Sequence, residues 1–267
     1  MYPVLFHFGP ITIYSYGVMM ALGFIAAGWA LGLELQRRGK DPNLASTFVL
    51  WAAVGGLIGA RLLFLLEEWQ AFLHNPWPLL FTGAGFVWYG GLIGGVVGVS
   101  LCIWRYGLSW SEMMDAVAPA IALGHGIGRI GCHLAGDGDW GPPTDLPWGV
   151  AYPNAIVGWD YPPGVRVHPT PLYETLAYLL VFVFLWLRRS KTPPPGTQFG
   201  WYLVLASTAR FFLEFVRVNP PLVFGLTEAQ IISILLVAVG VFLLTGKRET
   251  QGATVSAATP LARERRR

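Results

Sequence analysis

YSYGVMMALGFIAAGWALGLELQRRGK, residues 14–40, is the stretch that decides the fold. Its apolar part, 14–36, matches the roughly 20 residues a helix needs to cross a hydrocarbon core. Arg37, Arg38 and Lys40 follow at once. With no basic n-region and no A-x-A cleavage signal, it reads as a retained helix rather than a signal peptide. The rest of the chain repeats the pattern. Further apolar stretches run at 45–66, 86–105, 112–134, 171–187, 199–216 and 228–245. The 267 residues are 54% hydrophobic and 12% charged, against about 25% charged in a soluble domain. A β-barrel would show weak alternating segments instead of long apolar runs. The expectation is an all-α, polytopic membrane protein with seven helices over residues 1–245. A polar tail, 246–267, is expected to be disordered, and TPPPG at 192–196 a short stiff linker.

Placing the charges gives an orientation. Arg37, Arg38, Lys40, Arg105, Arg188, Arg189, Lys191, Lys247, Arg248, Arg263, Arg265, Arg266 and Arg267 all fall on one side of a seven-span chain. Glu67, Glu68, Asp137, Asp139, Asp145 and Asp160 fall on the other, with Arg166 as the exception. The positive-inside rule then puts the N-terminus outside and the C-terminus in the cytoplasm. Topology thus accounts for the pI near 8.9, and nucleic-acid binding has no support. Cys102 lies near the cytoplasmic end of the third stretch and Cys132 near the outer end of the fourth, too far apart for a disulfide.

Four arginines stay inside apolar stretches or at their ends: Arg61, Arg129, Arg210 and Arg217. In this topology each lies in the outer half. So do Tyr14, Tyr16, Tyr89, His168 and Glu174. Charge at the bilayer centre costs at least ~2.5–3.5 kcal/mol and usually faces a cavity. The guanidinium fork suits phosphate, so an anionic lipid head group is the ligand this grouping points to. Each arginine also has a plainer reading, snorkelling to the interface or pairing with a carboxylate. Arg217, just before Asn219-Pro220-Pro221, is the one expected to snorkel. Arg210 and Glu214 are spaced to pair on one helix face. In YGGLIGGVVG, residues 89–98, Gly94, Gly95 and Gly98 are expected to serve close helix packing, while Gly90 and Gly91 lie nearer the outer face, where backbone can meet a ligand.

The fourth stretch ends in GRIGCHLAGDGDWG, residues 128–141. His125, Arg129 and His133 form one helical stripe, and the glycines after it end the helix. Asp137-x-Asp139-x-Gly141 resembles part of a calcium loop but lacks the third ligand and the closing Glu. No metal is expected beside Arg129. Cys132 reads as a small buried residue.

From Tyr14 to about Leu244 the chain resembles the bacterial prolipoprotein diacylglyceryl transferases. The match rests on the Gly128-Arg129-Ile130-Gly131 signature closing at Gly141, and on SYG at 15–17, GLIGAR ending at Arg61, YGGLIGG at 89–95, HPTPLYE at 168–174 and ARFFLEFVR at 209–217. The resemblance implies a seven-helix bundle with an extracytoplasmic cap loop in the bacterial cytoplasmic (inner) membrane. It implies no cofactor. The partners would be phosphatidylglycerol, the diacylglyceryl donor, and the lipobox cysteine of a prolipoprotein signal peptide, with glycerol phosphate leaving. Arg129 matches the phosphate-holding arginine, Arg210 a second essential one, and Tyr16 and Glu214 further cavity residues. Arg61, Gly90, Gly91, Asp137 and Gly141 are the other lipid-binding candidates. The chain departs from the family at Cys132 and Ala135 (usually Asn), at Asp137 (usually Glu), and at Ala206 (often Tyr). One residue is inserted near Asp139. Most important, Tyr89 stands where a histidine often assigned to catalysis is usual. His133 is the candidate replacement base, with Tyr89 orienting the lipid. The alternative is that the arginine field alone acidifies the thiol. Competing functional readings are an inactive or repurposed paralogue binding anionic phospholipid, and a channel or transporter, which the lack of repeat symmetry and of paired broken helices disfavours.

Overall fold

The computed structural model describes the chain apart from Pro10 and residues 82–84, 192–193 and 259–267. The last of these gaps takes in Arg263, Arg265, Arg266 and Arg267 of the expected tail, and 192–193 begin the expected linker; these lie outside the described residues, whereas the start of the expected disordered tail, 246–258, is helical. The described residues form nine α-helices and one two-stranded sheet. In chain order they are β1 (Val4–Phe8), β2 (Ile11–Tyr14), α1 (Ser15–Arg37), α2 (Leu44–Glu67), α3 (Trp69–His74), α4 (Pro76–Phe81), α5 (Trp88–Arg105), α6 (Trp110–Ala135), α7 (Thr170–Arg188), α8 (Thr197–Leu213) and α9 (Glu228–Ala258).

The protein is therefore mostly helical, but not all-α with seven helices as expected. α3 and α4, six residues each, occupy the connection after α2. The β1–β2 hairpin precedes α1, with Phe6 opposite Ile13 and Phe8 opposite Ile11. Its signal is present in the sequence: Gly9-Pro10 between two runs of aromatic and β-branched residues. Gly9 takes the positive φ the turn requires. Among the described residues, five helices are long and apolar enough to cross a membrane: α1, α2, α7, Thr197–Val216 and Glu228–Gly246. α5 is diluted by Gly90, Gly91, Gly94, Gly95 and Gly98 and by Trp88, Tyr89 and Arg105. α6 is diluted by Glu112, Asp115, Arg129 and two histidines.

The chain divides into two compact units, Gly28–Met113 and Met1–Ala27 with Met114–Arg267. In the first, α2 and α5 meet through glycine. A Cβ on Gly94 would run into the Gly55 carbonyl, one on Gly90 into the Gly59 carbonyl, and one on Gly98 into that of Trp51. Small residues at this spacing let two backbones touch. The packing expected of Gly94 and Gly98 is present, and Gly90 joins it, whereas a Cβ on Gly95 would meet the Ala52 carbonyl only at ordinary contact distance. At the other end of this unit, Glu34 is fully buried and takes ion pairs from Arg37 and Arg38, both at 2.7 Å.

In the second unit, α6 packs on the start of α1 at Gly23 and Gly124, where an added Cβ would sit 2.9 Å from the Gly124 carbonyl oxygen. A core of Ala118, Ala122, Val181 and Leu185 joins α6 to α7. α8 begins at Gly196, which has no side chain to cap it. Asp115 of α6 supplies the cap, accepting the Gly196 and Phe199 N–H groups at 2.6 and 2.9 Å. The segment between α6 and α7 folds on itself around Tyr152, which is fully buried. Val150 and Val167 exchange backbone bonds at 3.0 and 2.9 Å. Trp140 and Trp159 pack on the Tyr152 ring at 4.9 and 6.0 Å.

Candidate active site

Three arginines of the second unit converge. Arg129 comes from the penultimate turn of α6, Arg210 from the end of α8, and Arg217 from just after the 3-10 turn Glu214–Val216. Their common partner is Glu174, one turn into α7 and fully buried. One Glu174 oxygen lies 2.5 Å from Arg129 Nε. The other lies 2.9 Å from an Arg217 Nη and 3.8 Å from an Arg210 Nη. Asp139 closes the group by pairing with Arg129 through one carboxylate oxygen and with Arg217 through the other. Glu214 pairs with Arg210, lies 3.6 Å from Arg217 Nε and accepts the Asn219 amide at 2.6 Å. Three guanidiniums are thus matched by three carboxylates.

The backbone explains why these groups meet. Gly136 and Gly138 adopt φ of +64° and +93° and turn the chain back after α6. Gly141 then passes too close to its neighbours for a side chain: an added Cβ would run into the Val216 carbonyl and lie 2.9 Å from His168 Cβ. Its N–H donates to the His168 carbonyl at 2.9 Å, and Thr170 Oγ1 donates to the Asp139 carbonyl. The signature glycine that closes the motif therefore sets the distance between Asp139, Glu174 and Arg217. Burial raises the Asp139 carboxyl's affinity for its proton. The guanidiniums of Arg129 and Arg217 outweigh that and hold the group ionised, below the usual aspartate range.

Several expected residues lie around this cluster. His125 stacks on Tyr178 at 3.8 Å and receives Arg129 Nε–H at 3.4 Å. Cys132 Sγ lies 3.5 Å from an Arg129 nitrogen. Asp137 accepts the Asp139 N–H at 3.3 Å. Tyr16, half exposed, opens α1, where its Cα would lie 3.4 Å from a Cβ on Gly131. His133 is turned toward the segment after α6, its Nδ1 3.0 Å from the Tyr152 hydroxyl. Cys102 and Cys132 are both free and buried. Cys132, Asp137 and Asp139 offer ligand atoms within 4.8 Å of one another, but two guanidiniums already occupy Asp139.

Arg61, Tyr89, Gly90 and Gly91 belong to the other unit. Arg61 donates to the carbonyls of Gly85, at 3.1 Å, and Leu79, and its guanidinium lies 5.4 Å from the Phe64 and Phe86 rings. Tyr89 stands at the exposed start of α5. Gly90 is part of the α2–α5 contact, and Gly91 faces Ala60 at ordinary contact distance.

One sequence reading is overturned. Arg217 does not snorkel; its side chain is 8% exposed and shared among three carboxylates. The 3-10 turn after α8 redirects the chain at that point, so helical spacing did not reveal it. Glu174 and Asp139 are site residues beyond the sequence candidates. Their sequence signals are that each sits inside a matched motif, Glu174 also among the outer-half polar residues.

The prolipoprotein diacylglyceryl transferase family model matches residues 3–245. This chain belongs to that family. Among its relatives is the phosphatidylglycerol–prolipoprotein diacylglyceryl transferase of Clostridium tetani (strain Massachusetts / E88), 36% identical over 245 residues, 91% of this chain and 96% of the relative. Clostridium perfringens (strain 13 / Type A) has a relative with that name numbered 2, 33% identical over 90% of this chain and 95% of its own. The Legionella pneumophila (strain Corby) protein of the same name is 33% identical over 92% and 97%.

Proposed function

We propose that this protein transfers the diacylglyceryl group of phosphatidylglycerol to the lipobox cysteine of a prolipoprotein, in the bacterial cytoplasmic membrane. The observation that carries the reading is the convergence of Arg129, Arg210 and Arg217 on one buried point. In the reaction the cysteine sulfur bonds to the glyceryl carbon while the carbon–oxygen bond to phosphate breaks. Glycerol phosphate leaves with the electron pair, and the thiol proton passes to a base. Charge builds on the departing phosphate, and fixed cations in a site shielded from water stabilise it in the transition state.

Arg129 and Arg210 hold the phosphate, with Arg217 beside them and Tyr16, Asp137, Gly141 and Glu214 around it. His133 takes the thiol proton. For Arg61, Tyr89, Gly90 and Gly91 the assignment to lipid binding rests on motif resemblance, with Tyr89 orienting the lipid. The chain crosses the membrane seven times, and the segment between α6 and α7 lies outside as a cap.

An assay with labelled phosphatidylglycerol and a lipobox peptide tests the proposal. Wild type should form the thioether; Arg129→Ala and Arg210→Ala should lose nearly all turnover while still inserting. Each loses a charge-assisted contact worth about 1.5–3 kcal/mol or more in such a site. Near-normal turnover by Arg129→Ala would remove it from the phosphate clamp. In the same assay across pH, an unchanged profile for His133→Phe alongside a collapse for Tyr89→Phe would move the base role to the tyrosine. Phospholipid binding by wild type without thioether formation would favour a repurposed lipid binder, a reading the Tyr89 and Cys132 departures motivate.

A further inference from the structure

Every guanidinium in the cluster already has a carboxylate partner, so the site as it stands is occupied by the protein's own anions. The three carboxylates are not equivalent. Glu174 and Glu214 are fully buried at the side chain, one on α7 and the other in the 3-10 turn that continues α8. Asp139 is 28% exposed and sits on a turn. Its two oxygens reach two different guanidiniums, Arg129 and Arg217, as two non-bridging oxygens of a phosphodiester would. The main chain beneath it is anchored through the Thr170 hydroxyl, the Asp137 carboxylate and the Gly141–His168 bond. The side chain can therefore leave by rotation while the turn stays in place. Asp137, a second negative charge beside it, lowers the cost of that departure.

We propose that Asp139 holds the phosphate's place in the ligand-free protein and is exchanged for the lipid phosphate on binding. This rests on the function proposed above and adds a specificity device to it. The exchange keeps three largely shielded cations neutralised at every stage, when leaving them unpaired would be costly. It also returns a competing anion to Arg129 and Arg217 when glycerol phosphate must depart. Asp139 thus weakens head-group affinity and speeds release.

The test compares wild type, Asp139→Asn and Asp139→Glu as full-length protein in detergent or nanodiscs. Glycerol phosphate binding is read by calorimetry and phosphatidylglycerol binding by nanodisc titration. Asp139→Asn should bind both about tenfold more tightly, and Asp139→Glu should resemble wild type. The gain should persist near 1 M salt, where the screening length is about 3 Å, because the competition is for the same nitrogens. Unchanged or weaker binding by Asp139→Asn would overturn the proposal and make Asp139 an organiser of the arginines. A gain that vanishes in high salt would also overturn it, leaving only a long-range field. Should Asp139→Asn fail to fold, Asp139→Ser removes the same charge and is read in the same way. Absence of thioether formation by wild type, with the binding difference intact, would sink the transferase reading and leave the exchange standing.

Discussion

Arg217 sits a few residues before two prolines, at a position where the sequence suggests a solvated helix end, yet its guanidinium is nearly buried and touches Glu174, Asp139 and Glu214. Removing one partner of a buried charge group strands the others, at a cost of about 3–5 kcal/mol. Arg217→Ala should therefore lower both the thermal stability of the purified protein and the rate of thioether formation, to an extent comparable with Arg129→Ala. A variant within a few degrees of wild type in unfolding temperature, with near-normal turnover, would return Arg217 to the interface. The contrast with Arg210 is instructive. Its pairing with Glu214 could be read from i, i+4 spacing, because both fall on consecutive turns of one continuing helical path. Arg217 depends on Glu174, 43 residues away in the chain, and no local pattern encodes that.

At the scale of elements, glycine does two different things. Along α5 it creates a flat face, which Gly94 and Gly98 announce in the sequence and to which the structure adds Gly90. Its counterpart, Gly55 and Gly59 of α2 with the Trp51 carbonyl, emerges only when the helices are placed. Gly94→Val should separate α2 from α5, costing at least the ~1–3 kcal/mol typical of overpacking, read as lower yield and faster proteolysis of the membrane-inserted protein. Gly91→Val, facing Ala60 at 3.6 Å, is the matched control and should be milder. Equal behaviour of the two would show that the helix contact does not set stability. The second use is at Gly136, Gly138 and Gly141, where turns and close backbone approach bring Asp139 to the arginines. The same economy appears at α8, whose start is capped by Asp115 of another helix.

For the whole molecule, the charge pattern carries an orientation that the helices alone do not. Single-cysteine variants at Lys40 and Arg189 should label only from the cytoplasmic side, and one at Asp160 only from outside. Labelling of position 160 from the cytoplasm alone would invert the proposed topology and take the outer-leaflet site with it.

Composition and periodicity determined that this is a helical membrane protein and where its seven long apolar stretches lie. The motifs determined its family and brought Arg129, Arg210 and Glu214 forward. These properties are local: apolar run length, helical spacing and short signatures are written within a few turns of chain. Tertiary structure alone decided that Glu174 is the hub of three arginines, that Asp139 fills the remaining place, and that Arg217 turns inward. It also decided that His133 faces Tyr152. Each of these depends on residues of different segments meeting, and for the arginines and carboxylates on charge being neutralised away from water. A buried ion takes whichever partner the packed helices deliver, and that choice is made by geometry after the helices have formed.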